Sequence, residues 1–393
     1  IFALENGAAP RRYTMRIAVI TETYPPEVNG VALTVHGLVE RMAADGHELM
    51  LVRPRQPGVS ALPLPQPMDE LLVAGAGLPK YPGLRFGFPA GALLRRRFSA
   101  WRPDAVYVAT EGPLGWSAVR AARRLGIPVA TGFHTRFDAY AGAYGLGLLE
   151  PVVRHWLRRL HNSSGATVVP TEELRKWLER RGFHRVRVVA RAVDTTLFDP
   201  ARRDAGLRAR WGVPDGGLAV IYLGRIAAEK NLELAIAAFR CIQLRQPDAR
   251  FIWVGTGPEA ERLHREHPDF HFAGLRLGED LAAHFASADL FLFPSLTETF
   301  GNVTLEAMAS GVPTVAFDYG AARQHLHDGE HGRLIPFDDA PGFIDAAEAL
   351  AADAPARRNM GIAARRISLA LQPDKVARDF VGMLADLPVG AIA

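Results

Sequence analysis

Two glutamates around the start of a predicted helix are the residues of this 393-residue chain best suited to chemistry. Glu298 and Glu306 belong to the segment PSLTETFGNVTLEAMASGVP, residues 294–313. The apolar run before this segment predicts a buried strand, and residues 302–310 predict a helix that the following Gly and Pro end. Glu298 therefore lies in a loop and Glu306 on a helix, so that two carboxylates flank the helix N-terminus.

The backbone between these carboxylates is suited to anionic oxygens. The amides of Phe300, Gly301 and Asn302 lie where a helix has no internal acceptors, and Gly301 allows close approach. One carboxylate would then bind sugar hydroxyls and the other a ribose, which predicts a pocket for a sugar nucleotide. A pair of surface glutamates without function is the alternative, and the strand, loop and helix context argues against it.

Two cations are predicted in the loop after another strand. Arg225 directly follows the strand predicted at 219–224, and Lys230 lies five residues further, near the start of the next helix. Fixed cations in this position neutralise the charge that builds on a departing nucleoside diphosphate, which is the work that a metal ion does elsewhere. A solvated lysine beside a helix start is the alternative.

His134 and Gly30 are two further predicted site residues. His134 follows the strand predicted at 129–132 and should project from the carboxyl end of a parallel sheet, where ligands bind in such folds. Gly30 lies in the turn before the first long helix, where backbone amides would approach a diphosphate, although an ordinary turn glycine explains it as well. No zinc-type spacing and no Asp-x-Asp cluster occurs, so no metal and no other cofactor is expected.

Strand-like and helix-like segments alternate along the chain, which is typical of an α/β fold with doubly wound sheets. Strands are predicted at 16–21, 48–53, 105–109, 129–132, 167–170, 219–224, 251–255, 270–273, 288–294 and 313–317. We therefore predict two Rossmann-like domains that face a deep cleft. The segment 54–89, rich in Pro and Gly, is predicted to be irregular.

The predicted domain boundaries follow from this alternation. They are a disordered extension at 1–14, an N-terminal domain at 15–195, a second domain at 196–373, and a last helix at 374–393 that crosses back to the first domain. The chain has no apolar run of membrane length and no secretory signal at its start, so a cytoplasmic location is expected.

The formal net charge of +4 hides a difference between the two halves. Up to Asp194 there are 26 Lys and Arg against 16 Asp and Glu, whereas the rest has 20 against 26. Basic clusters with apolar neighbours, at 95–97 and 154–159, suit an anionic membrane surface or a phosphorylated acceptor, and a solvated Arg-rich face is an equal alternative. No nucleic acid partner is expected, because no binding motif accompanies the charge.

Several segments together resemble the retaining nucleotide-sugar glycosyltransferases of family four, which have the GT-B fold. The segments are TYPPEVNGVA at 23–32, GFHT at 132–135, GR at 224–225 with KN at 230–231, VGTGP at 254–258, and the pair Glu298 and Glu306. The resemblance runs from about residue 15 to the last helix. The glutamate pair and the two cations are its most specific parts.

The resemblance implies a role for each matched position. Arg225 and Lys230 would contact the donor diphosphate, Glu298 the transferred sugar and Glu306 the ribose, while His134 would lie beside the sugar. The implied transfer residues are His134, Arg225, Lys230 and Glu298, and the implied donor-binding residues are Gly30, Val31, Leu275, Phe300, Gly301, Asn302 and Glu306. Gly30 would close its loop over the diphosphate, and Leu275 would lie against the nucleobase.

The acceptor is less defined than the donor. In this family it binds mostly to the N-terminal domain, and Arg136, Tyr140 and Tyr144 are the implied acceptor-side residues. The segment from Tyr140 to Pro151 is similar to GDP-mannose-dependent α-mannosyltransferases and to transferases that build glycolipids, which implies a lipid, lipid-linked or saccharide acceptor. The donor is a GDP- or UDP-sugar, and the transfer is expected to proceed with retention, through an oxocarbenium-like state.

Two other functions remain open on the sequence. A sugar-nucleotide epimerase of the same fold would use related diphosphate contacts but needs acid-base groups that we do not find. A non-catalytic sugar-nucleotide binding protein would not need Arg225, Lys230, Glu298 and Glu306 together.

Overall fold

The computed structural model of the protein describes residues 14–27, 29–56, 68–77, 85–134 and 150–388. The chain folds into two compact units. One comprises Ile1–Phe133, Leu157–Val168 and Ala377–Ala393, and the other comprises His134–Trp156 and Val169–Val376. Among the described residues, no helix has the length and apolar character needed to span a bilayer.

The first part of the chain builds a seven-stranded sheet. Its strands and those of a small hairpin are β1 (Arg16–Ile20), β2 (Glu48–Pro54), β3 (Met68–Val73), β4 (Gly75–Gly77), β5 (Arg85–Gly87), β6 (Ala105–Val108), β7 (Val129–Gly132), β8 (Ala166–Val169) and β9 (Val186–Val188). The sheet order is β3-β2-β1-β6-β7-β8-β9, and β4 pairs antiparallel with β5. Within the seven-stranded sheet, the neighbouring strands from β3 through β2, β1, β6 and β7 to β8 pair in parallel.

The second part builds a six-stranded sheet that is parallel throughout. Its strands are β10 (Ala219–Leu223), β11 (Arg250–Val254), β12 (His271–Gly274), β13 (Leu290–Phe293), β14 (Thr314–Phe317) and β15 (Gly332–Ile335). Their order, β12-β11-β10-β13-β14-β15, is the doubly wound order of a Rossmann fold. The central strands are apolar on both faces because helices cover both sides.

The helices of the described residues connect these strands. They are α1 (Gly30–Ala44), α2 (Gly91–Trp101), α3 (Pro113–Arg124), α4 (Glu150–Asn162), α5 (Glu172–Glu179), α6 (Ala205–Arg210), α7 (Leu232–Arg245), α8 (Ala260–Glu266), α9 (Gly278–Ser287), α10 (Asn302–Ala309), α11 (Gly320–His325), α12 (Ala340–Ala352), α13 (Ala354–Ser368) and α14 (Pro373–Ala385). Each long helix buries one face. In α1, Ala32, Val35, Val39 and Met42 recur every three to four residues and are fully buried.

The ten strands predicted from the sequence are confirmed, with boundaries that agree within two residues. The prediction of an irregular segment at 54–89 is wrong, because β3 pairs with β2 over six residue pairs and β4 pairs with β5. The short strands escaped detection because the Pro and Gly around them outweigh three to six residues of strand pattern. Leu71 and Val73 of β3 are buried in the first core.

The last helix, from Ala377 onward, packs within the first unit. Phe380 of α14 lies edge-on against Tyr107 of β6, with ring centroids 4.8 Å apart. Both side chains are fully buried. The domain boundaries given above stay a prediction.

Both sheets reverse their strand order around one strand. β1 lies between β2 and β6, and β10 lies between β11 and β13. In open α/β sheets, the crevice outside the carboxyl ends of the strands at such a reversal is where ligands bind. The loops that follow β1, β6, β10 and β13 therefore border the expected ligand crevices.

Candidate functional site

The Lys230–Glu298 pair lies at the reversal of the second sheet. Lys230 ends the short 3-10 helix Ala228–Lys230 in the loop after β10, and Glu298 lies in the loop after β13. Lys230 Nζ donates to Glu298 Oε1 at 2.5 Å. The side chains are 13% and 18% exposed, so the pair is largely withdrawn from bulk water. The fold thus joins two predicted site residues that are 68 positions apart.

The donors that reach Glu298 within the described residues all use one oxygen. Ser295 Oγ donates to the same Oε1 at 2.8 Å, whereas Oε2 has no partner there. An ionised carboxylate accepts several hydrogen bonds through its two oxygens. Oε2 of Glu298 is therefore available to a hydroxyl group of a ligand.

Arg225 lies in the same loop as Lys230 but is more open to solvent. Its side chain is 46% exposed, and its Nη1 lies 3.3 Å from Oε1 of Glu229. The Glu229 side chain is only 10% exposed, so the guanidinium is the solvent-facing end of a single long hydrogen bond. An anionic ligand can compete for a group held in this way.

Two glycines hold the cationic loop against its neighbour. A Cβ on Gly255 would clash with the carbonyl oxygen of Gly224, and a Cβ on Gly257 would clash with that of Ile226. Ile226 N also donates to Thr256 O at 3.0 Å. The VGTGP segment after β11 thus lets two backbones meet without side chains between them, and it fixes the loop that carries both cations.

No side chain of the described residues caps the N-terminus of α10. Gly301 precedes the helix with φ +92°, a left-handed conformation that disfavours a side chain, and Asn302 begins the helix. Within the described residues, the amides of Phe300 and Gly301 have no acceptor, and the buried hydroxyl of Thr304 has no partner. Open donors at a helix N-terminus favour anionic or hydroxyl oxygens.

Glu306 lies on α10, half-buried, and no group of the described residues donates to it. Burial raises the pKa of its carboxyl group from 4.5 to about 7. An ionised carboxylate that folding withdraws from water, with no donor among the described residues, lowers the stability of the folded chain. Perturbed groups of this kind are concentrated at functional sites, where a ligand supplies the missing partners.

His134 is buried, and its ring is oriented by a cation. Arg191 Nη2 donates to His134 Nδ1 at 2.6 Å. Because a guanidinium has donors only, Nδ1 must hold a lone pair, and the proton of the neutral ring lies on Nε2. Arg191 therefore fixes the tautomer of a predicted site residue.

Gly30 and Val31 begin α1 in the first unit. Asn29, the N-cap residue, accepts from the amides of Val31 and Ala32 at 3.1 and 2.9 Å. This helix start is thus closed by its own cap, in contrast to that of α10. The Val31 amide, which the resemblance places near the donor, is already engaged.

The remaining predicted residues are defined less completely. Leu275 follows β12 and is 50% exposed. Arg136, Tyr140 and Tyr144 lie outside the described residues.

Sequence reasoning missed three residues that support this site. Ser295 could have been found, because it lies three residues before Glu298 in the same segment. Tyr319, whose hydroxyl donates to Ser295 O at 2.6 Å, and Arg191 act across 24 and 57 positions. Local sequence patterns do not predict contacts between residues so far apart in the chain.

The reversal of the first sheet carries a carboxylate of its own. Glu22, in the loop after β1, is buried, and its Oε1 accepts from Leu114 N of α3 at 2.9 Å. Burial raises the pKa of Glu22 to about 7, although the backbone donors Leu114 and Gly115 act in the opposite direction. Glu22 thus occupies the N-terminus of α3.

One cluster in the described part of the chain has metal-ligand residue types: His327, Glu330 and His331. His331 Nδ1 accepts from His327 N at 3.1 Å, and His331 Nε2 lies 3.4 Å from Oε1 of Glu330. With Nδ1 accepting, the proton of the neutral ring is on Nε2, where it faces the carboxylate. In this arrangement a metal ion could bind Nε2 only by displacing its proton.

Two solved structures share this fold. HepE of Anabaena, solved in complex with UDP, superimposes with a TM-score of 0.76 at 17% identity, over 95% of this chain and 100% of that one. Sucrose-phosphate synthase of Thermosynechococcus elongatus superimposes with a TM-score of 0.73 at 20% identity, over 94% and 98%. Likeness at this identity establishes the GT-B fold, with its two Rossmann-like halves.

Sequence comparison goes further than the fold. The model described as Glycosyltransferase Family 4 matches residues 28–197, and the one described as Glycosyl transferases group 1 matches residues 217–353. The GDP-mannose-dependent alpha-mannosyltransferase of Mycolicibacterium smegmatis is 34% identical over 377 residues, which cover 94% of this chain and 96% of that protein. Together with the Lys230–Glu298 pair at the sheet reversal, these matches identify the chain as a glycosyltransferase of family 4 with the GT-B fold.

Proposed function

We propose that this chain moves a hexose from a nucleoside-diphosphate sugar to a hydroxyl group of a lipid or saccharide, with retention of configuration and without a metal ion. The observation that carries the proposal is the Lys230–Glu298 pair at the sheet reversal, beside the uncapped N-terminus of α10. A cation, open amides and a carboxylate oxygen meet there. These groups match a diphosphate and the hydroxyls of its sugar.

In this proposal the two cations stabilise the leaving group. The bond from the anomeric carbon to the diphosphate oxygen breaks, the acceptor oxygen bonds to the same face of the sugar, and the acceptor proton passes to the leaving diphosphate. Lys230 holds its ammonium charge beside Glu298. That charge, with Arg225, would neutralise the developing charge of the leaving diphosphate, so that the reaction needs no metal ion.

The two carboxylates would divide the donor between them. Glu298 would bind sugar hydroxyls through Oε2. Glu306 would bind the ribose, whose hydroxyls would supply the donors that the described residues do not offer. GDP-mannose is the donor we favour, because curated relatives with that donor in their names match almost the whole chain. Residues 15–195 would bind the acceptor and residues 196–373 the donor.

A lipid acceptor would require contact with a membrane surface, and α4 is suited to it. Val152 and Trp156 are 65% and 45% exposed, and Arg154 and Arg158 are exposed on the same helix. Exposed apolar side chains beside cations favour an anionic membrane. We therefore place peripheral membrane contact in the proposal. In a flotation assay, the protein should rise with phosphatidylglycerol vesicles, and Trp156→Ala should lower the fraction that rises.

The test is a donor panel followed by product analysis. The purified chain should be stabilised against heat by GDP-mannose more than by UDP-glucose, and it should release GDP when a glycolipid or saccharide acceptor is added, with or without EDTA. Proton NMR of the product should show the α-anomer. A response to UDP-sugars alone would refute the mannosyl donor, loss of activity with EDTA would refute metal independence, and release of a free epimerised sugar nucleotide would refute transfer.

A further inference from the structure

Tyr319 spans the loop that carries Glu298. It lies in the turn between β14 and α11, and its hydroxyl donates to Ser295 O at 2.6 Å. The same hydroxyl accepts from Glu298 N at 3.1 Å. One side chain therefore fixes both the first and the last residue of the Ser295–Glu298 turn.

The turn of Tyr319 also holds the residues just beyond Glu298. Ala321 N donates to Phe300 O at 2.7 Å. Gly320 makes this approach possible, because its φ is +59° and a Cβ there would lie only 2.7 Å from Phe300 O. The backbone is thus clamped on both sides of Glu298 by three consecutive residues.

This clamp decides where the glutamate points. Lys230 and Ser295 both donate to Oε1 of Glu298, which leaves Oε2 as the oxygen for a ligand. Glu298, Thr304 and Tyr319 line the same small cavity. If the backbone of the turn rotated, Ser295 Oγ and the carboxylate would move together, and Oε2 would face another direction.

The hydroxyl of Tyr319 is separable from the packing of its ring. The ring lies edge-on against Phe337, with centroids 5.1 Å apart, and Phe337 in turn contacts Phe317 at 6.0 Å. A phenylalanine at position 319 would keep these contacts and lose both hydrogen bonds. The polar tip, and not the apolar body, is what touches the Glu298 loop.

We infer that Tyr319 is a positioning residue that aims Glu298 at the sugar of the donor. The inference rests on the proposed function, since it needs Glu298 to bind that sugar. Its specific consequence is that Tyr319 affects only ligands that carry the sugar. A nucleoside diphosphate lacks the transferred hexose that Glu298 would hold. Its binding should therefore be independent of Tyr319.

The experiment compares Tyr319→Phe, Glu298→Ala and the double variant. Affinity for GDP-mannose and for GDP is measured by calorimetry, and transfer is measured as kcat/KM. Tyr319→Phe should lower GDP-mannose affinity and kcat/KM on the order of tenfold, and leave GDP affinity unchanged. In the Glu298→Ala background, Tyr319→Phe should have no further effect, because the two residues act as one unit. Phe337→Leu, which disturbs the same aromatic group without touching the loop, is the matched control and should leave the two affinities in their wild-type ratio.

The outcomes separate the two proposals. The role of Tyr319 would be overturned if Tyr319→Phe lost GDP and GDP-mannose affinity equally, or if the losses of the two single variants multiplied in the double variant. The proposed function would still stand in either case, provided that the wild-type chain transfers the hexose. If Tyr319→Phe folds poorly, Ser295→Ala offers a second route, since it removes one of the two donors to Oε1 and should show the same dependence on the sugar. Failure of the wild-type chain to bind any nucleotide sugar would overturn both.

Discussion

The two sheets reverse their strand order at equivalent places, yet the helix that begins beside each reversal is completed differently. In the first sheet, Glu22 from the loop after β1 accepts from Leu114 N at the start of α3, and Gly112 leaves the space for its carboxylate. In the second sheet, no side chain of the described residues caps α10, and Lys230 from the loop after β10 binds Glu298 instead. One helix N-terminus is filled by a carboxylate, and the other has no such cap in the part of the chain that the structure describes.

This difference predicts that the second sheet, and not the first, receives an anionic ligand. A helix N-terminus attracts negative charge, and an internal carboxylate uses up that attraction. The N-terminus of α10 has no such carboxylate among the described residues, and the Lys230 ammonium group lies nearby, 2.5 Å from Glu298. Glu22 and Glu306 both have a pKa raised to about 7 by burial, but only Glu22 has backbone donors within the described residues. The comparison predicts opposite roles for the two carboxylates, structural for Glu22 and ligand-binding for Glu306.

The largest expected effect is that of Lys230→Ala on turnover. Loss of one fixed charge-stabilising donor should lower kcat about 10²- to 10³-fold, which corresponds to roughly 3–4 kcal/mol. Lys176→Ala, a substitution of an exposed lysine on α5, should leave kcat unchanged. Steady-state kinetics with GDP-mannose would measure both. If Lys230→Ala kept wild-type turnover, Lys230 would not stabilise the leaving group, and the anion site proposed at α10 would lose its cation.

The next effect is on the stability of the first unit. Glu22→Met keeps the volume of the side chain but leaves the amides of Leu114 and Gly115 without an acceptor, at a cost of about 1–3 kcal/mol. The effect should be clear at pH 5, where Glu22 is mostly protonated and carries no ionisation cost. Urea unfolding at pH 5 measures it. Glu22→Gln retains one acceptor oxygen and should lose less; equal stability of all three proteins would show that the cap contributes nothing.

Glu306→Gln should change the stability of the folded chain in the opposite direction to Glu22→Met. The folded-state pKa of about 7 exceeds the unfolded value of 4.5, so the folded chain binds more protons between these limits and loses stability as the pH rises through them. Removing the carboxyl group should therefore stabilise the chain at pH 8 by about 1–2 kcal/mol, and by little at pH 4.5. Thermal unfolding at both pH values, with the exposed Glu261→Gln as control, measures this. Donor affinity should fall in the same variant; stability gained without loss of affinity would make Glu306 a structural defect rather than a ligand group.

The smallest effect is expected from Gly301→Ala. With φ +92° and Phe293 only 3.3 Å from the added Cβ, the substitution should cost about 1 kcal/mol of stability and weaken donor binding. Gly329→Ala is a matched control, because Gly329 has φ +77° with no atom within 4 Å of the added Cβ. It should show a similar loss of stability and unchanged affinity. Equal donor affinity in both variants would show that close backbone approach at α10 is not needed.

Much of the fold was readable because parallel strands buried on both faces produce continuous apolar runs. The strands at β10 and β13, and with them the loops of Lys230 and Glu298, were predicted to within two residues at each end. The strands at β3, β4 and β5 were missed because their stability comes from neighbours and not from their own short patterns. The supporting residues Tyr319 and Arg191 were missed for a related reason, since each acts on a distant loop.

The sequence by itself determined the strand and helix alternation, the residue types of the site and the family resemblance, because these depend on local order along the chain. The tertiary structure decided which groups meet: that Lys230 engages Glu298 across 68 positions, and that Glu22 reaches the start of α3 across 92. Periodicity cannot encode such contacts, because they arise only when strand order brings the ends of separate strands to one edge of a sheet. Whether a helix N-terminus is open or filled is therefore a property of the folded molecule alone.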